Sequence, residues 1–167
     1  FGYMGASIKD LSVHGNYKIL DRPDSALASW VQIGGICGFL KGTVSGVHTD
    51  ISITYEVGQE TTTLGGYPDR GFPECCDTYI GGIAGSVTKG AEITNCYSTG
   101  DIYGEGTRSI SAGGIAGGSR NKNAVISYCY SSSDITAQPG IDYNSDFDSA
   151  LGGILGMAGV NGSDMCT

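Results

Sequence analysis

The chain has 167 residues, a formal charge of −8, and 29 glycines against only four prolines. That length suits one domain; the lack of a Gly-X-Y period excludes collagen, and the scarcity of proline excludes a Pro/Gly-rich linker. With an acidic balance and no run of Lys or Arg, nucleic acid and anionic membranes are poor partners, and no apolar stretch reaches the ~18 residues of a membrane helix.

The chain opens on Phe1-Gly2-Tyr3-Met4-Gly5, which reads as a worn copy of a glycine-framed apolar hexad. Full copies follow at Ile33-Gly34-Gly35-Ile36-Cys37-Gly38, Ile80-Gly81-Gly82-Ile83-Ala84-Gly85, Ala112-Gly113-Gly114-Ile115-Ala116-Gly117 and Leu151-Gly152-Gly153-Ile154-Leu155-Gly156. Their last glycines fall at 5, 38, 85, 117 and 156, with spacings of 33, 47, 32 and 39. A unit of about 32 residues with insertions fits, and periods of ~20–50 residues signal stacked repeats.

The first four hexads are each followed by a second half, and none is recognisable after Gly156. Residues Ile93–Ile102 (Ile-Thr-Asn-Cys-Tyr-Ser-Thr-Gly-Asp-Ile) match Ile126–Ile135 position by position, and Ile8–Tyr17 and Val44–Ile53 are looser copies. These segments are short and β-branched, with a rough apolar alternation, so they read as strands. Helix is disfavoured because glycine interrupts every ten residues or so, at ~1 kcal/mol each relative to Ala. Short strands divided by glycine and stacked on copies of themselves predict an all-β fold, a β-solenoid of about five parallel coils spaced ~4.8 Å apart. The glycine pairs then serve corners that need φ > 0 or close approach between coils. Ile33 and Ile80, with Ile36, Ile83, Ile115 and Ile154, are predicted to form inward aliphatic columns. The repeat is cut at both ends, so residues 1–167 read as one solenoid domain within a longer polypeptide.

Four insertions, 18–32, 54–79, 103–111 and 136–150, all fall between a second half and the next hexad, which in a solenoid is one edge. They hold 8 of the 15 aromatic residues, including Trp30, Tyr67, Phe72 and Tyr143, and 11 of the 17 acidic ones. Loops on one face of a repeat protein are the usual place for binding, and these four aromatics are the candidate binding residues. An acidic, solvated fringe accounts for the same composition.

Within the last insertion, Asp142, Asn144, Asp146 and Asp148 offer oxygen ligands at every second residue, a spacing that can wrap calcium. Phe147 and Gly153 stand where a calcium loop of the EF-hand type needs Gly and a bidentate Glu, so a solvated acidic loop is the competing reading. No other cofactor is expected. Cys96 and Cys129 fall in one column of successive coils and read as buried thiols filling the core, with a bridge as the alternative; Cys37 takes the place of Ala84 and Ala116. Cys75 and Cys76, in the longest insertion, are open to a bridge elsewhere, a vicinal disulfide or free thiols. Asp101 and Asp134 share a column with Asn16 and Ser52. His14 and His48 stand one column apart without a nucleophile pattern.

The Gly-Gly-Ile-Ala-Gly hexads, each followed by Ile-x-x-Cys-Tyr and a closing Asp-Ile, resemble the GLUG-motif repeats of bacterial surface and secreted proteins. Residues 80–102 fit that unit almost throughout, and 112–135 nearly as well; 33–53 have Val47 in place of the Cys, and 1–17 have Leu11. The resemblance implies an extracellular or cell-surface location and an adhesin-like segment without catalytic residues, facing a glycan or a surface protein. Two alternatives remain: a passive spacer or accessory part of a large surface protease or fibre, and a polysaccharide lyase built on a β-helix. A lyase needs a cation and a Lys or Arg base on one strand face, and the nine basic residues here are scattered.

Overall fold

The computed structural model describes residues 1–21, 30–57, 77–106, 109–119, 123–139 and 150–158. All regular structure there is strand, and every strand pairing is parallel. The first coil contains β1 (Tyr3–Met4), β2 (Ser7–Lys9) and β3 (Ser12–Asp21). The second contains β4 (Trp30–Gly34), β5 (Cys37–Leu40), β6 (Thr43–Ser45) and β7 (His48–Val57). The third contains β8 (Asp77–Gly81), β9 (Ala84–Val87), β10 (Glu92–Thr94), β11 (Tyr97–Ser98) and β12 (Ile102–Gly106). The fourth contains β13 (Ser109–Gly113), β14 (Ala116–Ser119), β15 (Val125–Ser127), β16 (Tyr130–Ser131) and β17 (Ile135–Pro139), and the fifth contains β18 (Ala150–Gly152) and β19 (Leu155–Ala158).

Four sheets run along the stack. Sheet 1 is β1-β5-β9-β14-β19 and sheet 2 is β2-β6-β10-β15. Sheet 3 joins β3, β7, β11 with β12, and β16 with β17; sheet 4 is β4-β8-β13-β18. Each full coil passes from sheet 4 through the glycine pair to sheet 1, then to sheets 2 and 3. This is the predicted β-solenoid.

The core has two lobes. Between sheets 1 and 2 lie Leu40, Val44, Val47, Ile83, Ile93, Cys96 and Ile115, all 1 % exposed or less. Between sheets 3 and 4 lie Ile51, Ile53, Tyr55, Ile80, Ile102 and Ile110. The aliphatic columns therefore point inward, with one departure: Ile154 is 36 % exposed, because it stands on the fifth coil, the last of the described stack. Fully burying such a side chain is worth ~1.5–3 kcal/mol, so the central coils carry most of the stability.

The first repeat is offset from its sequence reading. Tyr3 pairs with Phe39 and Met4 with Leu40, and the amides of Gly38 and Phe39 donate to the carbonyls of Phe1 and Gly2. Gly2, not Gly5, stands beside Gly38, so the first spacing is 36, the same step that pairs Ile8 with Val44. Aligning on Gly5 would set Met4 beside Cys37 and break this uniform step; the buried Met4 on Leu40 decides the register.

None of the hexad glycines has a positive φ, and those of the central coils answer to close approach instead. A Cβ on Gly81 would collide with the Ala84 carbonyl and the Ala116 backbone, and one on Gly82 with the Gly114 carbonyl and the Ser98 hydroxyl. Positive φ occurs instead at Gly90 (82°), between sheets 1 and 2, and at the corner between sheets 2 and 3, where Asp10 (53°), Gly46 (63°), Asn95 (53°) and Tyr128 (54°) form one column. That corner divides Thr43–Tyr55 into β6 and β7.

Candidate functional site

Two surfaces carry candidate chemistry. The first is the edge where sheet 3 passes to sheet 4. Asp21 at the end of β3 pairs with Val57 at the end of β7, and Gly106 of β12 pairs with Pro139 of β17. Where the chain returns, Trp30, Asp77 and Ser109 stand side by side, and Ala150 pairs with Ser111. The four crossing segments, 22–29, 58–76, 107–108 and 140–149, therefore leave and rejoin the stack along one edge.

The insertions are shorter than the sequence reading made them. Residues 18–21, 54–57, 103–106 and 136–139 extend the strands of sheet 3, while 30–32, 77–79, 109–111 and 150 belong to sheet 4. Two of the aromatics counted as loop residues are core: Tyr55 is 3 % exposed and Tyr79 1 %. Trp30 opens β4 at the loop edge, opposite Asp77. Tyr67, Phe72 and Tyr143, the proposed calcium ligands Asp142, Asn144, Asp146 and Asp148, and the Cys75–Cys76 pair all lie outside the described residues. Among the described residues no group of three or more His, Cys, Asp or Glu side chains is placed to hold a metal, and no helix is long and apolar enough to cross a membrane.

The second surface is the outer face of sheet 3. Strand alternation turns Ile51, Ile53 and Tyr55 inward and His48, Asp50 and Ser52 outward. In-register stacking then builds columns. Ser12, His48, Tyr97 and Tyr130 form one; His14, Asp50 and Thr99 belong to the next. The Tyr97 and Tyr130 rings lie 4.9 Å apart and 2° from parallel, and His48 stacks on Tyr97 at 3.9 Å. His14 meets His48 edge-on at 5.4 Å. Tyr3 and Phe39 make a second stack on sheet 1, at 5.6 Å.

Asp50 is the electrostatic centre of this face. His14 Nδ1 lies 3.4 Å from Asp50 Oδ2, and the Thr99 hydroxyl donates to Asp50 Oδ1 at 3.1 Å. The bond from His14, then that from Thr99, holds the Asp50 carboxyl below its ordinary value. His48 Nε2 lies 3.5 Å from the Thr99 hydroxyl. Because that hydroxyl gives its proton to the carboxylate, the set lacks the nucleophile-to-base order of covalent catalysis. Further along the face Lys18 pairs with Glu56 at 3.1 Å. Asp101 and Asp134 do share a column with Asn16 and Ser52, and both are exposed.

The aromatic stack was not among the candidate residues read from the sequence. The column alignment that joins Val44 to Ile93 also sets His48 over Tyr97; matching residue types along the motif passed over a His–Tyr pair that matching positions finds.

Cys37, Cys96 and Cys129 are free thiols, the first two buried and the third half-buried, as expected for core filling. Cys96 and Cys129 hold the same place in neighbouring coils, with the Tyr130 amide donating to the Cys96 carbonyl at 3.1 Å.

A family model described as the GLUG motif matches residues 77–103. No curated protein and no solved structure matches the chain. The matched span begins with β8 and ends in β12, which is the third coil, and the second and fourth coils repeat it strand for strand and in register. The third coil therefore carries a GLUG motif, and the supported reading is a protein built of such repeats.

Proposed function

We propose that the chain is a non-catalytic segment of a bacterial cell-surface or secreted protein, a stiff rod whose edge loops meet a glycan or a surface protein. The observation that carries this reading is the alignment of strand ends: the ends of sheet 3 and the starts of sheet 4 form two rows, so four connections of different sequence and length are anchored along one edge. Such a row supplies a broad contact surface on an invariant support. The GLUG motif, a repeat motif found in surface proteins, supports the location. Lyase chemistry gains no support from the outer face of sheet 3, where Lys18 is paired with Glu56 and the histidines bracket a carboxylate and a hydroxyl.

The test is a screen of the immobilised chain against a glycan array and against a panel of host and bacterial surface proteins. Any hit is then repeated with residues 58–76 or 140–149 replaced by short Gly/Ser bridges. Binding that disappears with a loop while the Tm stays within a few degrees supports the reading. Binding that survives both replacements, or no binding in either screen, overturns it.

A further inference from the structure

The stacked thiols of the third and fourth coils have a role available to them beyond filling the core. We propose that Cys96 and Cys129 are a redox-responsive pair that closes into a disulfide between the two coils on meeting a small-molecule disulfide such as oxidised glutathione. The placement rests on register. Tyr97 pairs with Tyr130, and the Tyr130 amide donates to the Cys96 carbonyl at 3.1 Å, so the two cysteines, each immediately before its strand, are direct neighbours across the step between coils. Neighbouring strands stand ~4.8 Å apart, within the ~4.4–6.8 Å between Cα atoms that a disulfide spans.

The side chains differ in a way that suits sequential reaction. Cys96 is 1 % exposed, lies 3.0 Å from the Thr94 carbonyl, and accepts a hydrogen bond from the Val47 amide at 3.4 Å. Cys129 is half-buried and lies 3.2 Å from the Ser127 carbonyl. The hydrogen bond from the Cys96 thiol draws the Cys129 thiol down to about 7, and that same contact, then burial, pushes the Cys96 thiol up. Cys129 is thus both the more reachable and the more readily ionised sulfur, and the thiolate is the nucleophile.

The exchange balances with the small disulfide as oxidant. The Cys129 thiolate attacks one sulfur of RSSR, forming a mixed disulfide and expelling RS⁻, which takes up the proton lost by Cys129. Cys96 then attacks the Cys129 sulfur, expelling a second RS⁻ that takes the Cys96 proton. Two protein thiols are oxidised to one disulfide while one small disulfide is reduced to two thiols. The product staples the third coil to the fourth, whatever the loops bind.

The test uses a chain carrying Cys37→Ala, Cys75→Ser, Cys76→Ser and Cys166→Ser. It is incubated folded with excess oxidised glutathione, then assayed by thiol titration, peptide mapping and melting. The expected result is loss of both remaining thiols together, a single cross-linked peptide joining Cys96 to Cys129, and a Tm that rises on oxidation and returns with dithiothreitol. In the same background, Cys96→Ala is expected to stop at a stable glutathione adduct on Cys129, and Cys129→Ala to leave Cys96 unreacted. Two thiols that remain free, an adduct that never resolves, or a bridge that forms only in denaturant would overturn the proposal. Should the multiple variant fail to fold, alkylation of the natural chain before and after reduction, read by peptide mapping, decides the same question.

Discussion

Tyr128 carries a conformation that few tyrosines adopt. At φ 54° it lies in the left-handed region, with its side chain 86 % exposed, and a non-glycine residue there costs roughly 1–2 kcal/mol. Asn95 fills the same corner one coil below, and Asn tolerates the region well. Tyr128→Asn is therefore expected to stabilise the chain by about 1 kcal/mol, read as a higher urea midpoint at unchanged slope; a lower midpoint would contradict this view of the corner. Gly82 sits at the opposite extreme. Gly82→Ala sets a methyl against a carbonyl of the next coil and the Ser98 hydroxyl, and a cost of roughly 3 kcal/mol follows from overpacking that only a backbone shift can relieve. Asp50 supplies a pH signature. Its carboxyl is held below the ordinary 3.8, by His14 first and Thr99 second. Its folded pKa is thus lower than its unfolded one, so its contribution is complete above about 3.8 and is lost as pH falls through the lower folded value. The Tm difference between the natural chain and Asp50→Asn should accordingly be constant near neutrality and shrink below that pH. A gap that widens on acidification would reverse the assignment.

At the scale of the element, burial depends on which coil a residue occupies. Ile83 and Ile154 hold equivalent places in their hexads, yet Ile83 is fully buried between neighbouring coils while Ile154 is 36 % exposed. Ile83→Ala is expected to cost roughly 3–4 kcal/mol and Ile154→Ala under about 1 kcal/mol; equal losses in chemical denaturation would show that the coils do not stack as described. This dependence also explains how much of the fold was legible. The hexads and second halves repeat because each coil presses on the same neighbours, so their alignment revealed the strands, the inward columns and the pairing of Cys96 with Cys129. The alignment failed at Gly5, where one residue type was matched without the buried side chain that fixes register. It placed the insertion bounds too wide as well, because strands of sheets 3 and 4 extend past the repeated motif into residues such as Tyr55 and Tyr79. The His48 end of the His48–Tyr97–Tyr130 stack went unread because His and Tyr share no type, only a position and a flat ring, although Tyr97 and Tyr130 were already aligned.

Over the whole molecule, two core lobes lie inside four parallel sheets, and nearest-neighbour coil contacts supply the stability. The longest connections start and end along one edge, where strand ends stand in rows, while the outer face of sheet 3 carries the ordered polar and aromatic columns. Both surfaces depend on a single claim, the uniform in-register step between coils. Nitroxide labels in the exposed column Asn16, Ser52, Asp101 and Asp134 measure that step directly by electron paramagnetic resonance. The expected separations rise in order, roughly 5 Å for 101 with 134, about 10 Å for 52 with 134, and about 14 Å for 16 with 134, from a ~4.8 Å repeat. Separations that do not rise in that order, or that exceed about 25 Å for any of these pairs, would contradict the stacked coil.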